Sequence, residues 1–215
     1  LQDIAELKRV NAGETVRVRA YRIEGDSADS LRCKIYSKGD QIPLSAAIPI
    51  FENLGLFVIS ETGYPVRAGG RVVTGMIQDV RMRSAEGAPV AFDVVERSFE
   101  DAFAAAWNGR TENDGFNKLI LSLGVNWREA ALLRGLAKYR GQSGMDPTQP
   151  VQEMALSEYP QIARLLLDLF HTRLDPELPN DLNARTRAAE AIYERIHAAL
   201  EKVPSLDHDR VLRRL

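Results

Sequence analysis

The chain has 215 residues, 45% of them hydrophobic and 27% charged, with a formal net charge of −2 and an isoelectric point near 6.0. That is enough apolar material to build a core and too much for a disordered chain, and the near-neutral field offers nothing to attract nucleic acid or an anionic membrane. No apolar run reaches the roughly 18 residues of a membrane helix, the first residues lack the basic-then-apolar order of a signal peptide, and the lone Cys33 cannot form an internal disulfide, which fits a reducing cytoplasm. At this length two small domains are expected, since domains run to about 100 to 150 residues. The chain starts at Leu1 without an initiator Met and its last stretch, Ser205 to Leu215, is helix-like with no stop signal, so the expectation is a piece of something longer.

In chain order, Leu1 to Val10 reads as a short helix, with Ile4 and Leu7 at helical spacing and a stop at Asn11-Ala12-Gly13. From Thr15 to Ile23 the period becomes two, Val16, Val18 and Ala20 alternating with Arg17, Arg19 and Tyr21, and the same pattern returns from Ser30 to Tyr36 around Leu31, Cys33 and Ile35. Between these strands lies a polar hairpin loop containing Gly25. Ile42-Pro43 opens a helix through Asn53 with Leu44, Ile48 and Phe51 on its face, and Pro49 inside it predicts either a kink or a later start than Leu44. Leu56 to Ser60 is a third strand, and Met76, Val80 and Met82, alternating with Ile77, Asp79 and Arg81, form a fourth. Gly63 to Gly75, with Pro65, Gly69 and Gly70, is expected as the loop between them. Asp93 and Glu96 have capping-box spacing ahead of a helix with Val95, Phe99, Ala102, Phe103, Ala106 and Trp107 on one apolar side, ended by Asn108-Gly109.

That order, strand, strand, helix, strand, strand, helix, becomes a ferredoxin-like order when the first strand is moved to the end. The expected fold class is therefore α+β, a permuted ferredoxin-like ββαββα module over 1–110 with both helices on one face, followed by an all-α helical domain over 111–215. ACT regulatory domains have this layout, as do many unrelated folds. The helical part reads as segments Gly115–Leu123, Trp127–Arg140, Pro150–Ser157, Pro160–Leu174 and Asp181–Val203. Its apolar stripes, Ile162, Leu165, Leu166, Leu169 and Phe170 in one helix and Ala189, Ile192, Tyr193, Ile196, Leu200 and Val203 in another, are core patterns.

A search for chemistry returns little. Gly69-Gly70 lacks the spacing and setting of a nucleotide-binding loop, and no P-loop is present. His171, His197 and His208 with one cysteine do not make a metal set, Cys33 reads as a buried small hydrophobe, and Glu112, Asp114 and Asp146 sit where turns and caps need them. Arg81, Arg83, Arg97, Arg213 and Arg214 could serve an anion, but Glu96, Glu100 and Asp209 dilute them into a solvated, salt-bridged surface. No catalytic, cofactor-binding or metal residue is assigned.

Four stretches go further: PIFENLGLFVISETGYPV from Pro49, FEDAFAAAWNGRTENDGFNKLIL from Phe99, WREAALLRGLAKYRGQ from Trp127 and SLDHDRVLRRL from Ser205. In this order and spacing they resemble the third ACT-like region and following helical segment of the large bacterial NAD-dependent glutamate dehydrogenases. The resemblance implies a parent enzyme that oxidatively deaminates L-glutamate to 2-oxoglutarate and ammonia with NAD. It places this span outside the parts that hold substrate and cofactor, since the family's catalytic lysine motif and Rossmann glycines have no counterpart here. A non-catalytic, cytoplasmic regulatory or oligomerisation piece is expected, inactive alone, with no cofactor of its own. Its expected partners are other domains of the parent chain, further copies in a homo-oligomer and a small-metabolite effector, near the Gly63–Gly75 loop or the Asn53–Leu56 turn, with no nucleic acid and no membrane. A free-standing ACT-type sensor, a helical protein-interaction scaffold and a compact enzyme remain as rivals.

Overall fold

The structure is a computed structural model describing residues 2–13, 15–68, 72–142, 144, 148–178 and 181–215. Its contacts divide it into two compact units, Leu1–Arg128 and Glu129–Leu215.

The first unit is built on one antiparallel sheet of β1 (Val16–Tyr21), β2 (Ser30–Ser37), β3 (Leu56–Ala68) and β4 (Val72–Ser84), in the order β1-β2-β4-β3. This is the strand order a permuted ferredoxin-like fold requires, so the expected α+β class is what the chain adopts. Period-two alternation sends Val18, Leu31, Cys33, Ile35, Val80 and Met82 to one buried face. Helices α2 (Leu44–Asn53) and α3 (Phe92–Trp107) cover that face, with Phe103 4.9 Å from Phe51 and 6.1 Å from Trp107, ring centre to ring centre. The side chain of Arg22 reaches the carbonyls of Ala28, Ser30 and Val90, tying the end of β1 to the entry of α3.

The other face is polar and half closed by α1 (Gln2–Asn11), which lays Leu7 and Val10 against Tyr36, Ile77 and Val66. Two ionic contacts fasten this helix: Asp3 accepts from the Tyr36 hydroxyl at 2.6 Å and from Lys34 at 2.9 Å, and Glu6 accepts from Arg17 at 2.9 Å.

Three expectations need correction. The stretch from Gly63 to Gly75 is mostly strand, since β3 continues to Ala68 and β4 begins at Val72, and Gly69 and Gly70 lie outside the described residues. The physical reason is position: β3 is an edge strand, where the N–H that Pro65 lacks has no ladder partner to lose. The cap of α3 is Ala91 without a side-chain bond, so Asp93 sits inside the first turn, where its charge complements the helix dipole. Helix α2 does start at Leu44 and carries Pro49 through its middle, burying Ala47, Ile50 and Phe51 where Leu44, Ile48 and Phe51 were expected. Its end follows the reading, with Gly55 at φ +84°, a conformation glycine takes without strain.

A short 3₁₀ turn at Gly115–Asn117 and helix α4 (Lys118–Leu123) complete the first unit, packed on α2 and α3, with Asp114 accepting from the Phe116 N–H. The second unit contains the helices expected from the pattern: α5 (Trp127–Gly141), α6 (Gln149–Glu158), α7 (Pro160–Leu174), α8 (Leu182–Leu200) and α9 (Leu206–Leu212). Helix α7 buries Ile162, Ala163 and Leu165–Leu167 and packs on α8, while α6 packs on α9. Of the stripe expected on α8, Ala189, Ile196 and Leu200 are buried, and Tyr193 is 40% exposed beneath the Arg173 guanidinium. The turn into α8 is held by Arg185, which donates to the carbonyls of Arg173, Asp175 and Leu178. Among the described residues no helix is long and apolar enough to cross a membrane.

Candidate functional site

An open sheet has two edges, and they differ here. The β3 edge is irregular: it carries Pro65 and breaks register between Val58 and Ser60 and again between Val66 and Arg67, devices that blunt an edge against further pairing. The β1 edge pairs with β2 residue for residue from Val16–Ser37 to Tyr21–Arg32, with no shift and no proline.

One contact fixes which way the β1 backbone faces. The Ala20 N–H donates to the Glu100 carboxylate at 2.7 Å, so it points away from β2. Because backbone groups alternate along a strand, the N–H and C=O of Val16 and Val18 face the same outward side. That side opens on a crevice of about 460 Å³ lined by Thr15, Val16, Val18, Glu100, Ala104 and Asn108. Thr15 hydrogen-bonds Asn108 at one end and Ala20 meets Glu100 at the other, so α3 runs antiparallel to β1 beside the crevice.

Glu100 is 9% exposed, on the apolar side of α3 between Phe99 and Phe103. Its second oxygen accepts from Arg19 at 2.9 Å. Burial pushes its carboxyl above the usual carboxylate range, and the bond from Ala20 and the charge of Arg19 offset this only in part. Arg19 also approaches Glu6 at 3.9 Å, so the ionic chain runs from α1 across β1 to α3. At the crevice rim, Asp101 adds acid, and Arg17 and Arg110 add base, with Arg110 stacked over Trp127 at 5.2 Å. Outward backbone donors and acceptors flanked by both charge signs suit an extended main chain or a small zwitterion. Among the described residues the crevice lining contains no histidine and no cysteine.

The features singled out in the sequence fall elsewhere. Arg81 and Arg83 share the polar face of β4, where Arg83 pairs with Asp29 at 2.6 Å; Arg97 is exposed on α3; Arg213, in the second unit, pairs with Asp209 and Glu201. Within the first unit, Arg97 on α3 does not join Arg81 and Arg83 on the opposite, polar face of the sheet, and Glu100, expected to dilute them at the surface, is instead buried against Ala20. The Asn53–Leu56 turn is closed on the unit itself, with Asn53 donating to the Asn113 carbonyl. His171 lies 3.6 Å from Glu129 and His208 3.1 Å from Glu158. Cys33 is fully buried, and burial pushes its thiol well up. Asp146 lies outside the described residues. No group of three or more metal-ligating side chains comes together among the described residues.

Among the buried polar residues, Gln78 went unnoticed in the sequence and Glu100 was assigned to the surface. Gln78 occupies the buried phase of β4 between Met76 and Val80, fully buried, its amide accepting from the Ile42 N–H at 2.8 Å and donating to the Ile42 carbonyl at 3.2 Å. Glu100 holds the equivalent place on α3. In both, the available signal is a polar letter in the apolar phase of an otherwise regular pattern.

Comparison with known proteins assigns the family. Residues 15–95 match the family described as glutamate dehydrogenase, ACT3 domain, and residues 111–176 that described as glutamate dehydrogenase, helical motif 3. Over 213 residues the chain is 32% identical to the NAD-specific glutamate dehydrogenase of Halomonas elongata, and over 215 residues 34% identical to that of Pseudomonas aeruginosa, covering 99% of this chain in each case. The protein of the same name from Mycobacterium tuberculosis is 34% identical over 181 residues, 81% of this chain. The chain spans 13% of the length of the first two relatives and 11% of the third. With the sheet order in agreement, the chain belongs to the family of NAD-specific glutamate dehydrogenases, of which it carries the ACT3 domain and helical motif 3.

Proposed function

We propose that this chain is a non-catalytic regulatory and oligomerisation segment of a cytoplasmic NAD-dependent glutamate dehydrogenase. The parent reaction is oxidative deamination of L-glutamate to 2-oxoglutarate and ammonia, with NAD held by other domains of the parent chain. The observation that carries the reading is the regular, outward-facing β1 edge beside a crevice lined by both charge signs, in a chain that matches only 13% of its relatives' length. Such an edge is a surface for an added strand, and such a crevice suits a small metabolite. The match boundaries, ending at 95 and resuming at 111, support a sheet module over 1–110 and a helical part over 111–215 as the functional division.

The test compares the full-length dehydrogenase with the 215-residue chain. NAD reduction with glutamate is expected from the former and not from the latter, and turnover by the chain alone would end the reading. Filling the crevice with Ala104→Arg in the full-length enzyme is expected to change the oligomeric state or the response to amino acids while leaving NAD binding intact. If assembly and effector response both stay as in the wild type, the crevice has no regulatory part.

A further inference from the structure

The β1 edge is regular but not fully open, because a side chain from α3 occupies part of it. Glu100 uses one oxygen to take the Ala20 N–H at 2.7 Å, in the place where the carbonyl of an added strand would lie, and the other to take Arg19 at 2.9 Å. The carboxylate thus stands in for a neighbouring strand at one end of the edge. At Val16 and Val18 the outward groups face the crevice instead.

We infer that Glu100 is a latch on this edge: engaged, it limits pairing to Val16–Val18, and released, it frees the strand through Ala20 for an antiparallel β1 from a second copy. This rests on the β1 edge being an assembly surface, as proposed above. A second copy is the occupant that the charges favour. Since Thr15 meets Asn108 and Ala20 meets Glu100, Ala104 lies opposite the middle of β1. A two-fold axis there brings Asp101 at one end of one crevice to the Asn108–Arg110 end of the other, and the small side chain of Ala104 permits the two α3 helices to approach. About the same axis Val18 pairs with its own copy and Val16 with Ala20, a register that needs the N–H Glu100 now holds.

Sedimentation equilibrium of the chain, with hydrogen exchange at β1, tests this. Glu100→Ala is expected to tighten self-association by about tenfold, the equivalent of the restored strand bonds. Adding Val18→Pro, which deletes an outward N–H while leaving the ladder to β2 intact, is expected to abolish that gain. A folded Glu100→Ala chain whose association is unchanged overturns the latch. Association that rises but survives Val18→Pro overturns instead the assembly role of this edge. The wild-type chain gives a check that no substitution can confound: the Ala20 amide should exchange far more slowly than those of Val16 and Val18 at dilution, and equal rates at the three positions refute the latch.

Discussion

Replacing Gln78 with leucine is the sharpest probe of how the first unit is held together. Gln78 is fully buried and satisfies both backbone groups of Ile42, itself 6% exposed, in the segment that leads from β2 into α2. Leucine keeps the bulk and removes both bonds, leaving an N–H and a C=O stranded away from water. Each stranded group costs about 1–3 kcal/mol, and the leucine recovers part of this through its apolar surface, so a net loss of about 3 kcal/mol is expected. For a chain of this size that lowers the thermal midpoint by about 6–12 °C. Urea unfolding followed by circular dichroism measures the loss, and exchange of the Ile42 amide locates it. Gln78→Glu sharpens the test: its carboxylate still accepts from the Ile42 N–H but faces the Ile42 carbonyl with a second acceptor. That variant should be the weaker of the two at neutral pH and recover as acid protonates the buried carboxyl into a donor. A Gln78→Leu chain within about 0.5 kcal/mol of wild type would refute the account, because an ordinary surface substitution does as much.

Other perturbations have equally definite outcomes. Phe103→Ala, at a fully buried ring between Phe51 and Trp107, is expected to cost about 3–5 kcal/mol in urea unfolding. Arg185→Lys keeps the charge but not the fork that reaches three carbonyls, so exchange at the α7–α8 turn should quicken while the sheet amides stay protected. The bonds from Arg32 hold the Asp26 carboxyl below its ordinary value of 3.8. A carboxyl depressed on folding contributes stability that is complete above its unfolded value and disappears as pH falls through the folded one. Stability should therefore drop in acid below about pH 4, with Asp26→Asn less stable at pH 7 and less sensitive to acid. A variant whose acid limb matches the wild type would remove Asp26 from that account.

The architecture was legible because each strand buries one face: Val16, Val18 and Ala20 against Arg17, Arg19 and Tyr21 is a pattern that only a strand satisfies. What escaped was length. Gly63, Pro65, Gly69 and Gly70 are letters of a loop, and only the edge position of β3, a property of the folded sheet, lets a strand continue through Pro65. Asp93 and Glu96 have the spacing of a capping box, yet the chain enters α3 one residue before Asp93, guided by Arg22. The crevice was the least legible feature. Its principal groups are the backbone N–H and C=O of Val16 and Val18, which every residue but proline shares, so no motif can spell them. Glu100 was visible but misread, since a carboxylate four residues from another on a charged helix looks like solvated surface until the fold sets it against Ala20.

The unlike edges limit how far such a sheet can spread. A slab able to zip up on both flanks adds copy after copy into a ribbon, the geometry of fibres. With Pro65 and two broken registers on one flank, only the other can accept a neighbour, and two like flanks that meet face each other consume their own capacity. On the assembly proposed above, growth by this route stops at a pair instead of extending into a filament.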